Sequence, residues 1–550
     1  MVRNRAILFF LFFCVSFQGF SQSRKHLVYF TDKSNTPYSA LHPEDFLSER
    51  AIERRFLYEI AITEEDLPVN PAYIEGVNAT GATVIYSSKW FNACLVQATE
   101  DQLSEINSLP YVKNLERVKR DKRMQLEPKP VQTESEGFVK SVSGTDNSAF
   151  GNTYNQVAMM NVDKMHRDGF KGDGIVIAVM DAGFNNVNQL DFFSHLYQNN
   201  KILGTYDFVD NEINVYDDHS HGTHVLSLIA AFKEGEIIGT SYESGFYLFR
   251  TEDVASEFQI EEVNWLIAAE YADSAGVDII QTSLGYNTFD EPAMNYSYSD
   301  LNGQTSIISI ASNIAFSKGI FLVSSAGNEG NKAWRYVTMP ADSDNVLTVG
   351  AVNSQGNYAA FSSIGPTADG RIKPDVVAQG ALVYLGHVSG NVTTGNGTSY
   401  SAPLVTGLVA GLWQSCREVS NQELLEVVRA SGHQAGQPNN RLGYGIPNYI
   451  KARNMLKGLD DDEQVQAIAA GPNPFGYEDF TVYIPAKESH TVSIYVYDVK
   501  GVKVDEFSGM AEEPYTSFRI NSAAWSPGMY MVQVVSGTKR RLFKMVKVTN

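Results

Sequence analysis

Between about Asn152 and Leu459 the chain alternates apolar runs with helical stretches, and this alternation restricts its fold more than any other feature. Ile175–Met180, Val277–Gln281, Gly319–Ser324 and Val346–Val352 read as strands, and Gln259–Ala275, Ser306–Lys318 and Ser401–Cys416 as helices. A strand apolar on both faces must be covered on both. The pattern therefore predicts a parallel sheet sandwiched between helices, the α/β class. In that architecture reactive side chains gather where strands end and loops begin.

At 550 residues the chain exceeds one hydrophobic core, so the flanks are read as separate units. The N-terminal flank, from about residue 24 to 118, shows a strand at His26–Phe30, a charged helix at Pro43–Tyr58 and a strand pair at Ala82–Ser87 and Ala93–Gln97. A helix at Asp101–Ser108 and a strand at Val112–Arg117 complete a β-α-β-β-α-β order, which is ferredoxin-like. From Lys119 to about Asn147 apolar periodicity stops, and the basic, then Glu- and Pro-rich stretch reads as a protease-accessible linker. After the acidic run Asp460–Glu463, alternating apolar and polar residues in Thr481–Ile484, Val492–Tyr497, Ser517–Ile520 and Tyr530–Val535 predict a small β-sandwich. At the other end Arg3 and Arg5, the apolar run Ala6–Phe17 and a polar stretch through Gln22 form a secretory signal. A lipoprotein signal ending at Cys14 is disfavoured by the bulky Phe13 before it. The expected boundaries are 1–22 signal peptide, 23–118 N-terminal unit, 119–150 linker, 151–460 α/β domain and 461–550 sandwich.

A net charge of −20 argues against nucleic acid or an anionic membrane as a partner, since both need surplus Lys and Arg. The three cysteines, Cys14, Cys94 and Cys416, have neither zinc nor redox spacing.

Four segments of the middle domain carry chemistry. An apolar strand ends in Asp181-Ala182-Gly183, where a buried acid can hold an imidazole, although Asp-x-Gly is also a common turn. Ser220-His221-Gly222-Thr223-His224-Val225 opens an apolar helix, and a His at such an edge can accept a hydroxyl proton while its other N–H is held by a carboxylate. His219, His221 and His224 are a rival metal cluster that lacks the His-Glu-x-x-His spacing. Gly395-Asn396-Gly397-Thr398-Ser399-Tyr400-Ser401-Ala402-Pro403 leads into a helix whose free N–H groups favour developing negative charge; the same hydroxyls could simply cap that helix. Ser324-Ser325-Ala326-Gly327-Asn328-Glu329-Gly330 ends another strand and offers an amide, or is merely a turn.

Together these segments, in the order Asp, His, Asn, Ser at separations of 40, 107 and 71 residues, resemble the subtilisin family of serine endopeptidases. The resemblance implies Ser399 as nucleophile, His221 as base and Asp181 as the acid that orients it, with the Asn328 amide and the Ser399 N–H holding the oxyanion. It also implies that Ser283, Leu284 and Gly285 form a strand edge for an extended peptide substrate, with Ser325, Ala326 and Gly327 as the opposite wall. The chain departs from the family at Ala182, where Ser or Thr is usual, and at Tyr400, where Met is usual. No cofactor is expected to be required and no metal ligands are assigned. Structural calcium is conceivable, but Phe232–Gly239 lacks the asparagines of the family's calcium loop.

The 23–118 unit resembles the family's inhibitory propeptide, with an independent binding domain as the rival reading. The last module, through Gly471-Pro472-Asn473-Pro474-Phe475, Tyr497–Gly501 and Pro527–Tyr530, is similar to C-terminal sorting domains of the type IX secretion system of Gram-negative Bacteroidetes-type bacteria; a carbohydrate- or surface-binding sandwich is its rival. The expected whole is a secreted or cell-surface monomeric zymogen, exported through the periplasm and outer membrane, whose partners are peptide or protein substrates, its own propeptide and the secretion machinery. The alternative is a non-catalytic surface adhesin on the same scaffold.

Overall fold

A computed structural model describes residues 23–119, 148–457 and 468–548, the last span without 477–478, 487–488, 500, 513–514 and 537–538. The expected signal peptide and nearly all of the linker lie outside the described residues.

In the N-terminal unit, residues 24–42 and 63–119 contribute Arg24–Phe30 (β1), Pro71–Ala79 (α2), Thr83–Ser88 (β2), Ala93–Ala98 (β3), Glu100–Asn107 (α3) and Val112–Lys119 (β4). The strands form an antiparallel sheet in the order β2-β3-β1-β4, with Val28 paired to Cys94 on one side and to Leu115 on the other. Val28, Cys94 and Val96 of the sheet are buried together with Val77 of α2 and Leu103 and Ile106 of α3. This is the ferredoxin-like arrangement, with one correction. The first covering helix is α2, which the apolar periodicity of the sequence does not signal. The helix it does predict, observed at Glu49–Leu57 (α1), belongs to the second compact unit. Local signals for α2 exist: Pro71 opens the helix and the Asn70 side chain accepts from the Ala72 N–H at 2.9 Å. Its weak apolar periodicity hid it beside the strongly amphipathic, charged α1.

The second unit is built on seven strands: Val176–Asp181 (β5), Ile202–Asp207 (β6), Gly245–Arg250 (β9), Ile279–Thr282 (β10), Phe321–Ser325 (β11), Val346–Val352 (β12) and Val376–Gln379 (β13), while Phe232–Lys233 (β7) with Ile237–Ile238 (β8), and Val383–Gly386 (β14) with Val392–Gly395 (β15), make separate antiparallel pairs. The sheet order is β13-β12-β11-β10-β5-β9-β6, and every pairing is parallel. All residues of β5, β10, β11, β12 and β13 are buried, as the continuous apolar runs require. The helices His221–Ala230 (α4) and Thr398–Ser415 (α7) pack against one another, as do Ile260–Ala275 (α5) and Ile307–Ser317 (α6).

Register decides where chemistry can occur. Thr282 of β10 lies opposite Met180 of β5 and Ser324 of β11, so these three strands end together. Their carboxyl ends deliver Asp181, Ser283 and Ser325 to one rim. The helix expected to begin at Ser401 begins three residues earlier, at Thr398, because Gly397 turns the chain and Thr398 and Ser399 fall inside the first turn.

The C-terminal module is two antiparallel sheets. Ala469–Gly471 (β16), Phe480–Pro485 (β17) and Tyr515–Ile520 (β20) form one, and His490–Asp498 (β18), Lys503–Ala511 (β19), Gly528–Ser536 (β21) and Lys539–Lys547 (β22) the other. Val492, Ile494, Val496, Val532 and Val534 alternate into a core with Phe475, Phe480, Val482, Ile484 and Trp525. The motif residues are structural: Asn473 donates to the Lys544 carbonyl at 2.8 Å and accepts from the Val546 N–H at 2.9 Å, and Phe475 is buried beside them.

Candidate active site

Asp181 is the last residue of β5 and fully buried. Its Oδ1 accepts the Ala182 N–H at 2.8 Å and lies 2.8 Å from Nδ1 of His221, the first residue of α4. Since Oδ1 is a carboxylate oxygen, the His221 Nδ1 carries the proton and its Nε2 is the basic nitrogen. Two glycines permit the contact. A Cβ on Gly222 would stand 2.4 Å from the Gly183 carbonyl and 3.0 Å from Asp181 Cβ, and Gly183, at φ +145°, would direct a side chain to within 2.6 Å of Asp218. Only bare backbone lets α4 approach the end of β5 so closely. The Asp181 Oδ2, buried without a hydrogen-bond partner, is where a hydroxyl at position 182 would have mattered; Ala182 supplies none.

Ser399 is the second residue of α7 and 6% exposed. Its Oγ donates to the Ser283 carbonyl at 3.3 Å, and its own carbonyl accepts from Ser283 Oγ at 2.9 Å. The second bond follows from Pro403. Having no N–H, Pro403 cannot bond the carbonyl four residues back, so the Ser399 carbonyl is free for the strand edge. Tyr400, the next residue, is 3% exposed with its ring centroid 6.1 Å from that of His221, and it lies against Gly395, where a Cβ would come within 2.5 Å of it.

Asn328 follows β11. Its side-chain Oδ1 accepts the Thr398 N–H at 2.9 Å and the Thr398 hydroxyl at 3.1 Å. A backbone N–H can only donate, so the bonded atom is the amide oxygen and the Asn328 NH₂ is left to donate elsewhere. The Thr398 hydroxyl also accepts the Gly327 N–H at 3.1 Å, tying the turn after β11 to the start of α7.

The two expected substrate walls follow adjacent strands. Ser283, Leu284, Ser325 and Ala326 are buried, at 6%, 7%, 3% and 0% exposure. Between the walls stands Thr338, which no sequence motif marks. A Cβ on Gly285 would lie 2.1 Å from Thr338 Oγ1 and one on Gly327 2.8 Å from it, and the Thr338 N–H donates to the Ala326 carbonyl at 3.2 Å. Nothing in the run Tyr336-Val337-Thr338-Met339 signals this, because the position arises only from the fold. Glu252 is a second unpredicted neighbour. It follows Thr251, whose N–H donates to the Asp181 carbonyl at 3.0 Å, and its carboxyl is pushed up to about 8 by burial and by the negative charges of Glu257 and Asp181.

Among the described residues, His219, His221 and His224 do not bring three ring nitrogens within reach of one ion. Among the described residues, the group of three or more candidate ligands within reach of one ion is Asp207, Asp210 and Asp218, and the Arg250 guanidinium lies among them at 2.5, 2.6 and 3.3 Å. His224 stacks on His387, with centroids 5.5 Å apart. Burial, reinforced by His221, His387 and His219, pulls its pKa down to about 3. At Phe232–Gly239, β7 and β8 form a hairpin whose turn is bridged by Lys233 and Glu236 at 3.1 Å.

A family description, "Subtilase family", matches residues 172–445; "Peptidase S8 propeptide domain, Bacteroidota" matches 25–135, and "Secretion system C-terminal sorting domain" matches 472–548. Subtilisin of Bacillus pumilus is 31% identical over 258 residues, covering 46% of this chain and 82% of that protein. Subtilisin NAT of Bacillus subtilis subsp. natto is 31% identical over 258 residues, and the match spans 59% of its length. The thermostable alkaline protease of Halalkalibacterium halodurans is 26% identical over 284 residues, covering 52% of this chain and 69% of its own.

The depressed pKa of His224 has a signed consequence. Between the ordinary His value near 6.5 and about 3 the unfolded chain binds a proton that the folded chain excludes, so this residue makes stability fall on acidification. Thermal unfolding of a His224→Gln variant is expected to lose fewer degrees than the parent between pH 7 and pH 5; an equal or larger loss contradicts the assignment.

Proposed function

The chain belongs to the subtilase family, and on that premise we propose that it is a secreted serine endopeptidase, made as a zymogen, that hydrolyses peptide bonds through an acyl-enzyme. The observation that carries the reading is the 2.8 Å contact between His221 Nδ1 and a fully buried Asp181. A charge-assisted hydrogen bond of this kind contributes about 1.5–3 kcal/mol and holds the imidazole in one tautomer. In the proposed reaction Ser399 Oγ bonds to the peptide carbonyl carbon as its proton passes to His221 Nε2. The imidazolium, steadied by ionised Asp181, returns that proton to the departing amine as the C–N bond breaks. Water then attacks the ester by the same route, with the Asn328 amide and the Ser399 N–H holding the oxyanion each time. The bond from Ser399 Oγ to the Ser283 carbonyl, at 3.3 Å, is long for a hydroxyl donor, and the reaction requires Oγ to give it up for the imidazole.

Casein hydrolysis sensitive to a serine-directed organofluoride is the direct test. Ser399→Ala is expected to lower it by about 10⁶, the size of the effect in subtilisin. The same variant should retain its N-terminal segment uncut across residues 118–150. Activity persisting in Ser399→Ala would sink the proposal.

Thr338 supports a finer reading, that it floors the pocket for the substrate side chain before the cut bond and restricts that pocket to small and medium apolar residues. In Thr338→Gly, kcat/KM for a Phe substrate relative to an Ala substrate should rise by at least about tenfold; an unchanged ratio would place the pocket elsewhere.

The sorting domain supports export by the type IX route to the cell surface or beyond. Deleting residues 470–550 should leave the protein in the periplasm, whereas normal export of the truncated chain favours a surface-binding role for the sandwich.

A further inference from the structure

Helix α1 carries Arg50, Arg54 and Arg55 in the run Ser48-Glu49-Arg50-Ala51-Ile52-Glu53-Arg54-Arg55. Arg54 and Arg55 are only 4% and 2% exposed. Burying guanidinium groups is costly unless each finds anionic partners, and the partners here come from the peptidase domain. Both α5 and α6 finish beside α1, and the last turn of any helix presents unbonded carbonyls at its negative dipole end.

Arg54 donates to the Lys318 carbonyl after α6 at 3.1 Å and to the Asp273 carbonyl of α5 at 3.1 Å, and it also bonds the Val277 carbonyl. Arg55 bonds the same Lys318 carbonyl. Fully buried Asp273 receives Arg54 at 2.6 Å and Arg55 at 3.0 Å. Arg50 donates to the Gly276 carbonyl at 2.8 Å and the Gly174 carbonyl at 2.7 Å, and pairs with Asp278, which also receives Arg417 at 3.1 Å. Tyr58 stacks on Trp413 with centroids 5.9 Å apart and donates to the Arg417 carbonyl at 3.0 Å. The fit is close at both helix ends. A Cβ on Gly276 would stand 2.7 Å from Arg50 Cβ, and one on Gly319 2.8 Å from Ile60 Cδ1. Three planar forks satisfy several carbonyls and two carboxylates, Asp273 and Asp278, at once, which lysines could not do.

Gly174, Val277 and Asp278 precede β5 and β10, so this surface lies at the amino ends of strands whose carboxyl ends carry Asp181 and Ser283. We propose that residues 43–62 are a docking arm by which the N-terminal segment grips the peptidase domain at the foot of its sheet, away from the candidate catalytic residues, and which keeps that segment bound after the linker is cut. Cutting the linker then does not by itself complete maturation. The arm must also let go, exposing Asp273 and the helix-end carbonyls to water. The inference rests on the zymogen reading only for the cut itself.

The test uses the full chain carrying Ser399→Ala and a recognition sequence for an added site-specific protease within residues 120–147. After the cut, release of the N-terminal fragment from the immobilised remainder is followed on dilution. The fragments of the parent should stay together, and Arg54→Ala with Arg55→Ala should release at least about 100-fold faster. Arg50→Ala, at a half-exposed arginine, provides a variant that leaves the buried pair intact should the double variant fail to fold; about tenfold faster release is expected of it. Immediate separation of the parent fragments, or release of the folded variants within about threefold of the parent, overturns the docking arm. Because the added protease makes the cut, an inactive wild-type chain would defeat the peptidase reading without affecting this measurement.

Discussion

The close approach of α4 to the end of β5 is the constraint on which the candidate site depends. A carboxylate with no exposure is tolerated only if its charge is used, and Asp181 uses it on its own turn and on His221. The approach is a backbone matter, since Gly222 sits where any Cβ would strike the Gly183 carbonyl. Two residues without side chains therefore set the geometry of the Asp181–His221 pair.

The serine side is held by a different device. Pro403 in the second turn of α7 frees the Ser399 carbonyl, Ser283 claims it, and Asn328 and Gly327 are tied to Thr398 next door. One helix start is thus fastened to the turns after two neighbouring strands, and those strands end level because their parallel register aligns Thr282 with Ser324. Preorganisation of this kind lets donors point at developing charge without moving, which is where most of the benefit of an oxyanion site lies.

The N-terminal segment combines two kinds of structure. Its sheet closes over a small apolar core drawn from β1, β3, α2 and α3, while α1 holds no part of that core and satisfies its buried arginines on α5 and α6. An element whose buried charges are paired by another domain is an interface element, whichever sequence interval it occupies.

Much of the fold was legible in the chain itself. Continuous apolar runs can only be strands covered on both faces, so β5, β10, β11 and β12 follow from composition and spacing, and short motifs around Asp181, His221, Asn328 and Ser399 carry their chemistry locally. The sandwich was readable from strict alternation, although β19 and β22, which include exposed residues such as Val504 and Leu542, were not. Tertiary structure alone decided which helix covers the ferredoxin-like sheet, that Thr338 stands between Gly285 and Gly327, and that Arg54 and Arg55 end in a buried pair with Asp273. The physical reason is common to all three. Periodicity and motifs record what a residue does to its near neighbours in sequence, whereas these assignments depend on contacts across tens to hundreds of residues, which exist only once the chain has closed on itself.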